Sequence, residues 1–259
     1  MINVLITNDD GIFSKGIGIL SETLGKQGYN VWVVAPDRER SAVSHTITLR
    51  DPLRINEIAK QTFAVSGTPA DCAYMGMFYV MPEIPDIVIS GINNGYNLGN
   101  DIFYSGTIAG AFEAALRGIS SISASSDRGS TENQLKDFSE KIGNIIPSVC
   151  EKSGKSILYN MNYPPVEECK GYMFTSVGHR NYSNVVDIRK DPKGAEYFWI
   201  GGPVSKGYEN LQGGERSALD SGCISISPID PFIYSKDDSS MYNMIKSDDL
   251  SALKAMFND

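Results

Sequence analysis

The sequence predicts an α/β protein built on a parallel sheet, and three observations carry that prediction. Short runs rich in β-branched residues recur, stretches with helical spacing separate them, and polar clusters follow several of the runs directly. After about residue 160 the texture changes to alternating polar and apolar residues among turn formers, as in antiparallel strands and hairpins. The expected organisation is one domain over 1–259, with an α/β core over about 1–155. A β-rich extension and a C-terminal helical arm fill about 156–259.

The elements follow in order. "INVLIT" (2–7), "NVWVVA" (30–35), "DIVISG" (86–91) and "ISSISAS" (119–125) are continuous apolar runs suited to strands covered on both faces. Between the first two, "KGIGILSETLGKQG" sets Ile17, Leu20 and Leu24 at helical spacing before Gly28 stops it. "TPADCAYMGMFYV" (68–80) opens with Thr68 as an N-cap, Pro69 at the first helical position and Asp71 in the first turn. "SGTIAGAFEAALRG" (105–118) is helix-forming and ends at Gly118; a further helix over about 130–150 is expected to break near Pro147. Strand and helix in alternation imply right-handed crossovers. "GYMFTSVGHRNYSN", "AEYFWIGG" and "GCISISPI" read as antiparallel strands, and "SDDLSALKAMF" (247–257) as a closing helix with Leu250, Leu253 and Phe257 on one stripe.

Composition excludes several functions. A net charge of −8 over 259 residues disfavours a nucleic-acid duplex or an anionic membrane as partner, since both need a basic face. An acidic protein that handles a phosphorylated ligand is expected to do so with a metal ion. Cys72, Cys150, Cys169 and Cys223 show no CxxC spacing, which argues against zinc and against a disulfide framework. Strand-like sequence from residue 2 leaves no room for a basic, apolar leader, and no run reaches transmembrane length. The expected location is the cytoplasm.

In open α/β sheets ligands collect at the carboxyl ends of strands. Asn8, Asp9 and Asp10 follow the first run, "PDRERSAVSH" (36–45) the second and "SGINNGYNLGNDIFYSGT" (90–107) the third, so all three are expected on one rim. Each alone is equally a surface loop. Asp9 and Asp10 are adjacent carboxylates that a divalent cation would stabilise, and Ser41 and Asn93 add neutral oxygens from the facing loops. An all-oxygen shell favours magnesium, manganese or calcium over zinc. Ser105-Gly106-Thr107 at a helix start offers exposed N–H groups and the positive dipole end to a phosphate, or is simply N-capped by Ser105.

Other enzyme classes lack their residues. There are two histidines, His45 and His179, no G-x-S-x-G elbow, no G-x-G-x-x-G after the first strand and no G-x-x-x-x-G-K-[ST]. A receiver domain shares an acidic pair after its first strand, but "DIVISGIN" lacks an aspartate at the strand end. The D-x-D of covalent aspartyl phosphatases is absent as well. Hydrolysis by a metal-held water fits the residues present.

"VLITNDDGIFSKGI", "VVAPDRERSAVSHTIT", "VSGTPADC", "DIVISGINNGYNLGNDIFYSGTIAGAFEAAL" and "GCISISPI", in this order, closely resemble the SurE family of survival-protein nucleotidases. The match is nearly continuous over the first 125 residues and returns in patches to about 230. The resemblance implies divalent-metal-dependent release of phosphate from nucleoside 5′-monophosphates, with 3′-nucleotides and short polyphosphate as further substrates of some members. It places the metal ligands on Asp9, Asp10, Ser41 and Asn93, the last because it directly follows "SGI", and makes Asp9 and Asp10 the catalytic residues. Asn97, Ser105, Gly106 and Thr107 match the family's phosphate loop. The implied fold is a Rossmann-like three-layer core with a β-hairpin extension and a C-terminal arm exchanged between subunits of a homodimer or homotetramer. The chain departs from the pattern in "YNMNYPPVEECKGYMFTSVGHRNYSN" and "LQGGERSALDSGCISISPI". These differences put nucleotide preference and subunit contacts in question, not the metal shell. His45 is a candidate acid for the leaving group or a satisfied loop histidine. His179, Arg38 and Arg40 stay undecided, either arginine pairing with phosphate or with Glu39.

Overall fold

Val4 and Ile6 of strand β1 (Asn3–Thr7) enter one apolar cluster and Leu5 enters another, so this strand is buried on both faces. That alternation organises the molecule, described here by a computed structural model for residues 1–151, 157–182, 185–200, 204–209 and 213–231. On the first face lie α1 (Lys15–Lys26) and α4 (Glu132–Glu151), which contribute Ile17, Leu20 and Leu24 and then Phe138, Ile142 and Ile146. On the second lie α2 (Pro69–Met75) and α3 (Gly106–Leu116). The result is a Rossmann-like three-layer α/β fold.

β2 (Asn30–Pro36), β5 (Ile87–Asn94), β6 (Ser121–Ser126) and β7 (Leu158–Asn162) join β1 in parallel, in the order β2-β1-β5-β6-β7. A hairpin of β3 (Ile55–Ala59) and β4 (Thr62–Val65) extends the β2 edge. At the other edge β13 (Ile224–Ile229) runs antiparallel to β7, and β8 (Tyr172–Phe174) runs parallel to β13. Strands from both sides of residue 155 therefore share one nine-stranded sheet. Outside it, β9 (His179–Tyr182) pairs with β12 (Val204–Glu209), and β10 (Val186–Lys190) with β11 (Glu196–Ile200), as the expected β-hairpin extension. The closing helix expected at 247–257, and the arm it belongs to, lie outside the described residues.

The start of α2 follows its sequence signals. Thr68 Oγ1 accepts the Asp71 N–H at 3.2 Å while Asp71 Oδ2 accepts the Thr68 N–H at 2.9 Å, a reciprocal capping box with Pro69 in the first turn. The expected break near Pro147 does not occur, because α4 runs through it to Glu151. A proline there leaves the Gly143 carbonyl without its helical donor. The Tyr29 hydroxyl supplies one from α1's side of the layer, at 2.7 Å. β5 also outlasts its expected end at Gly91. Its register against β6 shifts between Ser90 and Asn93, a bulge that lets the strand continue to Asn94. Gly91 sits there at φ +139, where an added Cβ would fall 2.3 Å from the Ala124 carbonyl oxygen. That bulge carries Asn93 onto the rim.

Candidate active site

Because β1, β2 and β5 are parallel, their carboxyl ends deliver three polar loops to one rim. Asn8 closes the first, accepting the Gly11 N–H at 3.2 Å and donating to Gly11 O and Ser14 Oγ at 3.0 and 2.7 Å. The second loop docks on the first through the Arg40 N–H, which donates to the Asp9 carbonyl at 2.7 Å. Ser41 then follows directly. A cleft of about 980 Å³ opens between these loops, lined by Asp9, Asp10, Ser41, Asn93, Asn97 and Ser105, with Glu39, Tyr104, Arg128 and Arg180 around them.

Asp9 is 5% exposed, and Thr107 Oγ1 donates to its Oδ1 at 2.5 Å. Burial, reinforced by the Asp10 charge and opposed by the Thr107 hydrogen bond, pushes its pKa up to about 6. Asp10 is half-buried and accepts the Asn94 N–H at 3.2 Å; burial and Glu39 raise its pKa despite that bond. Neither carboxylate pairs with a lysine or arginine among the described residues. Asn93 turns its Nδ2 to the Gly95 carbonyl at 2.7 Å, which leaves Oδ1 for another partner. Ser41 donates to Glu39 at 2.7 Å and keeps its lone pairs. Two unpaired, desolvated carboxylates with two neutral oxygens fit a hard divalent cation. Among the described residues no group of three or more His, Cys, Asp or Glu is placed to hold a metal, so an ion at the carboxylate pair would need neutral oxygens as its further ligands.

The start of α3 packs directly on Asp9. A Cβ added at Gly106 would lie 2.8 Å from Asp9 Cβ and 3.0 Å from its Oδ2, so only glycine lets the helix approach so closely. Ser105 Oγ accepts the Ile108 N–H at 3.2 Å as the N-cap. Of the four residues matching the phosphate loop, Asn97 and Ser105 line the cleft, whereas Gly106 and Thr107 stand behind Asp9, with the Thr107 hydroxyl committed to it. Asn97 is held from below: its Nδ2 donates to Ser125 Oγ at 2.8 Å, its N–H to Asn162 Oδ1 at 3.0 Å, and its carbonyl accepts from Asn160 at 2.9 Å.

His45 Nε2 lies 2.8 Å from Glu113 Oε2 and its ring meets Phe112 edge-on, so it is the satisfied loop histidine. Arg40 donates to the Ser66 carbonyl at 2.6 Å, not to Glu39. His179 stands in register with Glu209 in the β9–β12 ribbon. Sequence reasoning missed Arg128 and Arg180 on the cleft wall, and the buried Asn160, Asn162 and Glu215 beneath it. The two asparagines had a signal: an Asn-x-Asn alternation in an apolar run puts both on one face of a strand. Arg180 and Glu215 had none, since only tertiary folding brings them near residues 97–101.

Fold and cleft together define a Rossmann-like α/β protein whose rim is suited to a hard cation beside a helix N-terminus. Residues 4–184 match the family model for survival protein SurE. The chain is 42% identical over 235 residues to the 5′-nucleotidase SurE of Geobacter sulfurreducens, covering 88% of this chain and 87% of that protein. It is also 42% identical to that of Caldanaerobacter subterraneus subsp. tengcongensis, over 88% and 91% of the two chains. The crystal structure of the SurE protein from Aquifex aeolicus superposes with a TM-score of 0.79 at 36% identity, covering 93% of this chain and 99% of that one. The chain belongs to the SurE family.

Proposed function

We propose that this chain is a divalent-metal-dependent 5′-nucleotidase, a phosphomonoesterase that converts nucleoside monophosphates to nucleoside and phosphate. The single observation that carries the reading is the unpaired Asp9–Asp10 carboxylate pair, placed on one rim with Ser41 and Asn93 and against the N-terminus of α3. The curated names of the relatives point to the same activity.

Asp9, Asp10, Ser41 and Asn93 would hold one ion per subunit, magnesium or manganese being best suited to so few protein oxygens. A bound ion supplies the positive charge that withdraws electrons from phosphorus and acidifies water near neutral pH. The chain's own residues do the rest. Thr107 fixes the Asp9 carboxylate, and Asn97 and the Ser105 end of α3 present donors and a positive dipole end to the phosphoryl oxygens. Gly106 brings that helix end close enough to act.

The chain acts as a homodimer or homotetramer through exchange of its C-terminal arm. Exposed Val186, Ile188, Phe198 and Trp199 on the β10–β11 hairpin support an assembly that covers them. It works in the cytoplasm, a reading supported by four free cysteines. Among the described residues no helix is long and apolar enough to cross a membrane.

The test is phosphate release from AMP, a panel of other 5′- and 3′-nucleotides and short polyphosphate, with and without added manganese. Release is expected with the ion and is lost on chelation. Asp9→Asn should reduce it by more than the roughly 10- to 100-fold that loss of an outer-shell partner produces, with circular dichroism unchanged. A metal-independent release of the same size would refute the reading.

A further inference from the structure

Glu215 opens α5 (Glu215–Asp220) and is fully buried, beneath the cleft rather than in it. Its two oxygens face different parts of the site. Oε2 accepts the backbone N–H of Gly99 at 2.9 Å and of Gly178 at 3.2 Å. Oε1 accepts from Asn160 Nδ2 and Ser227 Oγ, each at 3.2 Å. The same Asn160 nitrogen donates to the Asn97 carbonyl at 2.9 Å. Gly178 leads into β9, where Arg180 pairs with Asp101 across the cleft wall. One carboxylate thus gathers donors from the loop carrying Asn97 and from the strand carrying Arg180.

The chemistry explains why a carboxylate stands there. A buried charge is tolerated only when hydrogen bonds replace its water, and an apolar side chain would fill the space at less desolvation cost. What an apolar side chain cannot do is fix two separate backbone segments at hydrogen-bond distance from one point. We propose that Glu215 is a positioning residue, setting the separation of the Asn97 loop and the Arg180 strand and thereby the fit of the phosphate end of the cleft. This rests on reading the cleft as a nucleotide phosphatase site.

The experiment compares Glu215→Gln with Glu215→Asp. Glutamine keeps the size, but its NH₂ cannot accept, so one donor set loses its partner; aspartate keeps both acceptor oxygens. Glu215→Gln is expected to lower kcat/KM for AMP about 10- to 100-fold and to weaken calorimetric binding of inorganic phosphate in proportion, with Glu215→Asp recovering part of both. Manganese affinity should stay within about 2-fold, because the proposed ligands lie on the loops after β1 and β2 and at the carboxyl end of β5. Wild-type phosphate affinity in Glu215→Gln overturns the proposal. So does a parallel loss of manganese affinity and thermal stability, which would mark a role in folding alone. If Glu215→Gln does not fold, Glu215→Asp carries the test alone: its shorter carboxylate reaches less far toward the Gly99 and Gly178 N–H groups, and undiminished phosphate affinity there overturns the proposal equally. Should the wild-type protein release phosphate from no nucleotide, the functional reading fails, while the phosphate and manganese titrations still decide the role of Glu215.

Discussion

Thr107 shows how one side chain serves a site without facing it. Its hydroxyl gives Asp9 a donor in a buried position, and the pKa of Asp9 still rises to about 6. Thr107→Val keeps the shape and removes the donor. It should destabilise the protein by about 1–3 kcal/mol, read from the denaturant midpoint, and weaken manganese binding about 10- to 100-fold. Unchanged manganese affinity would show that packing alone holds Asp9. Glu113 illustrates the opposite balance. Burial pushes its carboxyl up, but hydrogen bonds from His45 and Arg117 outweigh that and hold its pKa below the ordinary 4.5. A carboxylate with a depressed folded-state pKa stabilises above its unfolded value and loses that contribution as pH falls through the folded one. The melting temperature should therefore drop below about pH 4.5, and Glu113→Gln should flatten this acid limb while lowering stability at neutral pH. An identical acid limb in the variant would remove Glu113 from the account.

At the scale of elements, α4 and β5 both outran their sequence signals, each for a local reason. Pro147 carries a helix-breaking signal, yet the carbonyl it orphans is satisfied by Tyr29, a residue 114 positions away. Tyr29→Phe should cost about 1 kcal/mol and lower Tm by about 2–4 °C in a thermal scan. No change would mean that water serves that carbonyl equally well. The β5 bulge has the larger functional consequence. Without the extra residues beyond Gly91, Asn93 would not stand beside β6 with its Oδ1 available to the cleft. The start of α2, by contrast, was legible to the residue, because Thr68, Pro69 and Asp71 act within one turn.

Among the described residues, one nine-stranded sheet carries a polar rim at the carboxyl ends of its parallel strands, and two antiparallel ribbons lie outside it, one of them with exposed apolar side chains. Phe198 and Trp199 are 57% and 60% exposed, an unusual surface for a lone chain and a reason for the proposed assembly. Deleting residues 232–259 should lower the number of subunits measured by light scattering, and an unchanged number would count against arm exchange. The rim was foreseeable as a whole because parallel strands must point their carboxyl ends the same way. Hence Asp9, Asp10, Ser41 and Asn93 could be set on one cleft from their places after three strand-like runs.

By itself the sequence determined what depends on neighbours in the chain: the β-branched runs, the helix between each pair, the caps, and the acidic and glycine-rich loops that follow the strands. Tertiary structure alone decided what depends on contacts between distant segments. It turned the Thr107 hydroxyl onto Asp9, carried α4 through Pro147, and gathered Gly99, Asn160 and Gly178 around Glu215. The physical reason is that a hydrogen bond satisfied within one turn leaves a periodic trace in the sequence. A buried polar atom satisfied from a hundred residues away leaves none, because its partner is set by packing.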